Sequence, residues 1–305
     1  LQLLKIKTLL LLIKYLVVFC IHNMSLQNIL VLGSLHYDIF IESDKIPEVG
    51  ETVLGKKWYP KLGGKGANQA TSLVKENINV NFASAVGNDD FSKFLINELK
   101  KNNISDSYLT KIIGASGMSV AISNKQGNYS AIVISGANLQ ISKNIFTNDN
   151  LWKNCSFLMI QNEIKEEINI AAAIEAKKRN VRIFFNAAPA KKINNDLFEL
   201  VDILIVNEIE SQQLLETTST DFKSQAQQLS NYISKIIITL GDKGVVYTEK
   251  NKQPNHIKAH SVNVKSAHGA GDYFSGKFIS NFIKTNNFAD SINIANKKTS
   301  EFISS

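Results

Sequence analysis

From Met24 onward, short apolar runs alternate with segments whose apolar residues recur at helical spacing. That alternation restricts the chain to a layered α/β fold, because each run must be covered on both faces. The strands are predicted at Ile29–Leu32, Val80–Val86, Phe157–Ile160, Val181–Phe185, Ile203–Val206 and Ile236–Leu240. Most of them are apolar on both faces, as the central strands of a parallel sheet require. Helices are predicted between them, at Ala67–Lys75, Phe91–Lys101, Glu166–Lys178 and Phe222–Ile233. Two segments break the pattern, one over 39–59 and one over 118–135 around the turn at 124–128. They read as the strands of a hairpin-rich appendage, placed to act as a lid.

Composition narrows the class. With 44% hydrophobic and 20% charged residues in 305, the chain has enough apolar material for one large α/β domain. Cys20 and Cys155 are isolated, so neither a disulfide framework nor a zinc site is expected, and a cytoplasmic setting fits. The net charge of +7 is partly due to Lys5, Lys7 and Lys14. The other lysines are scattered without interleaved aromatics, so no nucleic-acid partner is expected. Residues 1–23 are apolar but broken by Lys14 and lack a small-residue cleavage site. They are expected to lie outside the fold, not to anchor it in a membrane.

Two glycine-rich segments carry the chemistry. The early one is Leu62-Gly63-Gly64-Lys65-Gly66-Ala67-Asn68-Gln69-Ala70. It fits neither a Walker A loop, since Gly66 follows Lys65, nor a dinucleotide fingerprint, since Gln69 stands where a glycine is needed. Its glycines allow either close approach of a ligand or a tight turn into the following helix. Asn68 can offer both an acceptor and a donor to hydroxyl groups. The late segment, Gly269-Ala270-Gly271-Asp272, precedes Phe274, Phe278, Ile279, Phe282 and Ile283, the buried stripe of an amphipathic helix. It therefore forms a helix N-terminus, whose free N–H groups attract anions. Asp272 there reads either as a first-turn acid or as a base that takes the proton of an attacking hydroxyl.

Together, and in this order, LGGKGANQA and GAGD resemble the two signatures of the ribokinase (PfkB) family of sugar kinases. The resemblance runs from Met24 almost to Ser305. It implies a three-layer sandwich around a mostly parallel sheet with a small β lid, spanning 24–305. It also implies transfer of the ATP γ-phosphate to a primary hydroxyl of a small sugar. Ribose is the expected acceptor; another sugar, a nucleoside, or sugar binding without catalysis are the alternatives. Asp272 would be the base, with Gly269, Ala270 and Gly271 forming the anion hole. The sugar would be held by His36, Asp38, Gly64, Lys65, Gly66, Asn68 and Glu163. The nucleotide would meet Asn207, Thr239, Gly241, Asp242, Gly244 and Asn296, with Mg²⁺ near Glu210, reached through water. Several of these carry a plain structural reading as well. Asp38 could be a turn aspartate, Glu208 and Glu210 first-turn acids, and Gly241 and Gly244 the turn of a hairpin. A homodimer through exposed lid edges is expected.

Three departures from the family pattern stand out. His36 replaces the usual asparagine and reads equally as a hydrogen-bonding substitute, a packed strand-end residue or a reader of another sugar. Ser266-Ala267-His268 replaces a segment whose aspartate helps to hold a monovalent cation, so K⁺ activation is expected to be weak or lost. His268 could add positive charge near pH 6 or be an exposed loop residue. Finally, only helices at Asp272–Lys284 and Phe288–Ile303 follow. The chain then reads either as a fragment, with apolar surface exposed at Phe274, Phe278 and Phe282, or as one with an open nucleotide side.

Overall fold

The computed structural model describes residues 28–125 and 129–305. The expectation for residues 1–23 and the tip of the turn at 124–128 lie outside them. The chain forms β1 (Asn28–Leu32), β2 (His36–Glu42), β3 (Lys57–Gly63), α1 (Lys65–Val74), β4 (Asn79–Val86), α2 (Asp90–Lys101), β5 (Leu109–Lys111), β6 (Gly117–Ser123) and β7 (Tyr129–Ile134). It continues with β8 (Cys155–Gln161), α3 (Glu166–Lys178), β9 (Arg182–Asn186), β10 (Ile203–Asn207), α4 (Glu208–Leu214), α5 (Phe222–Leu229), β11 (Lys235–Thr239), β12 (Val245–Glu249), β13 (Asn255–Ile257), α6 (Ala270–Thr285) and α7 (Phe288–Ser304).

The large sheet has nine strands in the order β13-β12-β11-β10-β9-β8-β1-β4-β5. Its first two are antiparallel hairpin strands and the rest run parallel. Ile29, Leu30, Val31 and Leu32 of the central β1 are fully buried, which is why this run is apolar throughout. One core layer joins the sheet to α3 and α5 through residues such as Leu158, Ile168, Phe185 and Ala226. The other joins it to α1, α2, α6 and α7 through Phe82, Leu95, Phe278 and Ile292. Helices on both faces of a parallel sheet place ligands at the carboxyl ends of its strands. The register sets Gln161 beside Asn186 and Asn207 beside Thr239, along that one edge.

The second sheet differs from the expected appendage. Its order is β3-β2-β6-β7, and the central pair β2–β6 is parallel, because β2 and β6 enter it from separate crossings instead of one hairpin. Its strands also reach beyond 39–59: β2 begins at His36 and β3 ends at Gly63. The polar residues of this sheet's inner end hid the strand starts. The α5 helix stops at Leu229 instead of running to Ile233, ending on a C-cap at Ser230. Phe274, Phe278 and Phe282 are 3%, 0% and 2% exposed, so the expected bare apolar surface is absent from this helix. Phe278 packs on Phe184 and Phe282 on Phe157, while Phe288 of α7 closes over both.

Candidate active site

The site is organised by α1 and α6, which lie side by side and in the same direction. Contacts repeat at helical spacing along both: Asn68 and Gln69 with Asp272, Ser72 with Gly276, and Glu76 with Lys277. Gly276 is required, since a side chain there would meet Ser72 Oγ. This packing brings two glycine-rich segments about 200 residues apart in sequence to one point. Asn68 Nδ2 donates to Asp272 Oδ2 at 3.2 Å, and Gln69 Nε2 donates to Oδ1 at 3.0 Å. Asp272 is 6% exposed and does not cap its own helix, whose N-cap is Gly269 with no side-chain bond. The capping reading therefore fails, although Asp272 does lie in the first turn of α6, where the helix dipole favours an acid. Burial pushes its carboxyl up, while Lys65 and the two amides pull it back and Glu163 adds to the rise.

At the start of α6, no side chain lies within 4 Å of where one would grow from Gly269 or Gly271, and Gly269 is left-handed at φ 74°. This is an open cradle at a helix N-terminus. Ala270 N–H, expected as one of its donors, instead closes a turn onto Ala267 O at 3.2 Å. The cradle is left to the amides of Gly269, Gly271 and Asp272. Lys65 stands at the N-terminus of α1, and its charge acts on Asp272, Glu210, His36 and His268.

The sugar-site candidates converge next to these groups. Asp38 lies within β2, not in a turn, and its Oδ1 accepts from Ser119 Oγ of β6. Burial raises its pKa from the usual 3.8 to about 6. Gly63, paired across from His36, is glycine because a side chain would overlap the Asp38 carboxylate. Gly64 follows at φ 87° to turn the chain into α1. Glu163 Oε2 accepts from Ser34 Oγ and from the Lys65 backbone N–H, so it pins the glycine turn to the end of β1. Its sugar contact, as expected from sequence, would fall to Oε1. The Asn68 amide is likewise spent on Asp272, which leaves its carbonyl for a hydroxyl. His36 is 2% exposed, its Nε2 has no partner among the described residues, and burial holds its pKa below the usual 6.5.

The nucleotide candidates are engaged differently. Asn207 and Glu210 form a reciprocal capping box on α4: Glu210 N–H donates to Asn207 Oδ1 and Asn207 N–H to Glu210 Oε2, both at 2.8 Å. Burial raises the Glu210 carboxyl, with Lys65 opposing and Asp272 adding. Thr239 Oγ1 donates to Val206 O, Gly241 and Asp242 lie in the turn between β11 and β12, and Gly244 must be glycine to clear Ile257 O. Asn296 Nδ2 donates to Lys258 O. His268 is exposed, sits edge-on to Phe40 of β2, and titrates below the usual 6.5 because of partial desolvation and Lys61. Both influences reduce the positive charge that it could add near pH 6. A cavity of about 490 Å³ at Asp149, Trp152, Cys155 and Arg179 contains none of these residues, and its Arg179 is already paired with Asp149 and Glu175.

Residues 26–304 match the family model of pfkB family carbohydrate kinases. The chain belongs to this family. The chain is 31% identical to ribokinase of Staphylococcus aureus (strain COL) over 282 residues, covering 90% of this chain and 92% of that one. It is 32% identical to ribokinase of Dictyostelium discoideum over 300 residues, covering 90% and 93%. Among solved structures, it is similar to Arabidopsis thaliana ribokinase complexed with ribose and ATP: TM-score 0.80, 25% identity, 91% and 92% covered. The α/β architecture with its large, mostly parallel sheet is that of this pfkB relative, and the chain is a ribokinase-like carbohydrate kinase.

Three residues of this candidate site were not among the functional candidates from sequence. Gln69 enters the sequence reading only as a non-glycine, and Gln161 falls one residue beyond the predicted strand Phe157–Ile160. Ser119 was missed too, as an ordinary lid residue. Their partners lie 203, 92 and 81 residues away, and no local pattern reports a bond of that range.

Proposed function

We propose that this kinase transfers the γ-phosphoryl group of ATP to the primary hydroxyl of ribose, with Asp272 as the base. The observation that carries this reading is the buried Asp272 carboxylate. It is held by Asn68 and Gln69 of the glycine turn, beside an open helix N-terminus and the Lys65 charge. Asp272 takes the hydroxyl proton as the oxygen attacks. The amides of Gly271 and Asp272, with Lys65, stabilise charge on the transferring group. Asp38, whose own pKa lies near 6, accepts hydroxyls of the sugar, with Glu163 Oε1 and the Asn68 carbonyl nearby. The ribokinase complexed with ribose and ATP supports both substrates.

Magnesium, when bound, neutralises phosphate charge. No group of three or more metal-ligating side chains converges among the described residues. That donor set fits an ion that keeps its waters, with Glu210 reaching it through Oε1, since Oε2 is committed to the helix cap. The nucleotide would lie along Asn207, Thr239, Gly241, Asp242, Gly244 and Asn296. The four-stranded sheet would close over the sugar and exclude water. Its outer strand β7 exposes Ile132, Val133 and Ile134 at 73%, 49% and 55%, which suits pairing with a second copy as a homodimer.

A panel of pentoses, deoxyribose, hexoses and nucleosides, each with ATP and Mg²⁺ and scored by ADP release, tests the substrate. Ribose should give the highest kcat/KM. A preference for another acceptor would move the assignment within the family, and sugar binding without any ADP release would remove the catalytic reading. A 29% identical relative, the deoxyribokinase of Salmonella typhi, makes deoxyribose the comparison of most interest.

A further inference from the structure

We propose that Gln161 is a positioning residue that sets the orientation and basicity of Asp272 through Gln69; this rests on Asp272 being the base. An ionised carboxylate can only accept, so Gln69 must turn Nε2 toward Asp272 Oδ1. Its own Oε1 then faces away and requires a donor. Gln161 Nε2 supplies it at 2.7 Å. Gln161 is fixed in turn from two sides. Its backbone carbonyl accepts from Asn169 Nδ2 at 2.7 Å, and its Oε1 occupies the space where a side chain on Gly33 would begin. Gln69, Gln161 and Asn169 are all fully buried.

Buried amides are costly where a bond is left unmade, and Gln161 Oε1 and Asn169 Oδ1 have no partner among the described residues, but the bonds that are made all point toward one carboxylate. The relay commits Oδ1 of Asp272 to a buried bond. Proton acceptance therefore falls to Oδ2, whose contact with Asn68 is longer and only partly buried. The other charges facing Asp272 are Lys65 at the start of α1, Glu163 after β8, Glu210 on α4 and His268 in the preceding loop. None of them is altered by a change at residue 161, so a shift in Asp272 titration reports the amide chain.

The test compares wild type with two uncharged variants that lack the donor: Gln161→Met, which fills the space, and Gln161→Leu, which is shorter. The readouts are the kcat–pH profile and the ¹³C titration of the residue 272 carboxyl in the sugar-free protein. Losing a donor to the ionised form raises its pKa, so the acid limb should move up by about one pH unit in both variants, with kcat down roughly tenfold. KM for sugar and ATP should stay near wild type. A folded variant whose acid limb and carboxyl titration match wild type overturns the relay. Asp272→Asn, run alongside, separates the two claims. Turnover in that variant would remove the base itself, whereas its loss with an unmoved limb in the Gln161 variants would remove only the relay.

Discussion

The proposed sugar side and the proposed nucleotide side of this cleft use polar residues differently. On the sugar side, Asp38, His36 and Asp272 are buried, drawn from distant parts of the chain and held in energetically unfavourable states. Asp38 has its pKa raised to about 6, and His36 Nε2 has no partner among the described residues. On the nucleotide side, Asn207, Gly244 and Asn296 satisfy the backbone around them, and Glu210, though also buried with its carboxyl raised, has one oxygen bonded to the main chain. On the proposed assignment, the acceptor pocket is built in advance at a cost in stability. The nucleotide surface is ordinary loop architecture that offers main-chain groups at strand ends. Selectivity for the acceptor should therefore exceed selectivity for the nucleotide.

Replacement of Asp38 by Asn should break the comparison most visibly. Sugar affinity should fall by roughly 10²–10⁴-fold, because the hydroxyl acceptor is lost from a buried site. The same variant should be more stable at neutral pH. A folded-state pKa of about 6, above the ordinary 3.8, means that the stability Asp38 contributes is complete at low pH and is lost as pH rises through 6. Chemical denaturation at pH 5 and 7.5 should show the gap between variant and wild type widening, to about 1–3 kcal/mol. Equal gaps at the two pH values would contradict the burial assigned to this carboxylate.

Asn207→Ala should have a smaller effect and a different character. It removes the cap of α4 and should cost about 1 kcal/mol of stability, read from the midpoint of urea unfolding. KM for ATP should rise only modestly, and a loss of ATP binding as deep as the sugar loss in Asp38→Asn would erase the contrast between the two sides. The smallest effect is expected from cations. Ser266 Oγ accepts from His268 N–H and carries no charge, so rates in potassium and sodium chloride at equal ionic strength should coincide.

Much of the fold was legible because it rests on local pattern. The all-apolar runs became the central parallel strands, and the stripe from Phe274 to Phe282 became the buried face of α6. Both glycine segments were legible for the same reason, as turns at helix starts. What stayed hidden depends on separation along the chain. The parallel pairing of β2 with β6 and the amide relay from Gln161 are set only when the sheet assembles. The Asn207 to Glu210 segment shows a different limit, since N-x-x-E is both a family landmark and a helix cap, and the cap is the role its side chains perform here.

The proposed removal of the hydroxyl proton by Asp272 is measured by the turnover of Asp272→Asn. Asn keeps the shape between Asn68 and Gln69 but cannot act as a base. Phosphorylation of the sugar should fall by at least about 10³-fold while calorimetry finds sugar affinity near that of wild type. A folded Asp272→Asn protein that phosphorylates its sugar at close to the wild-type rate would rule out Asp272 as the base.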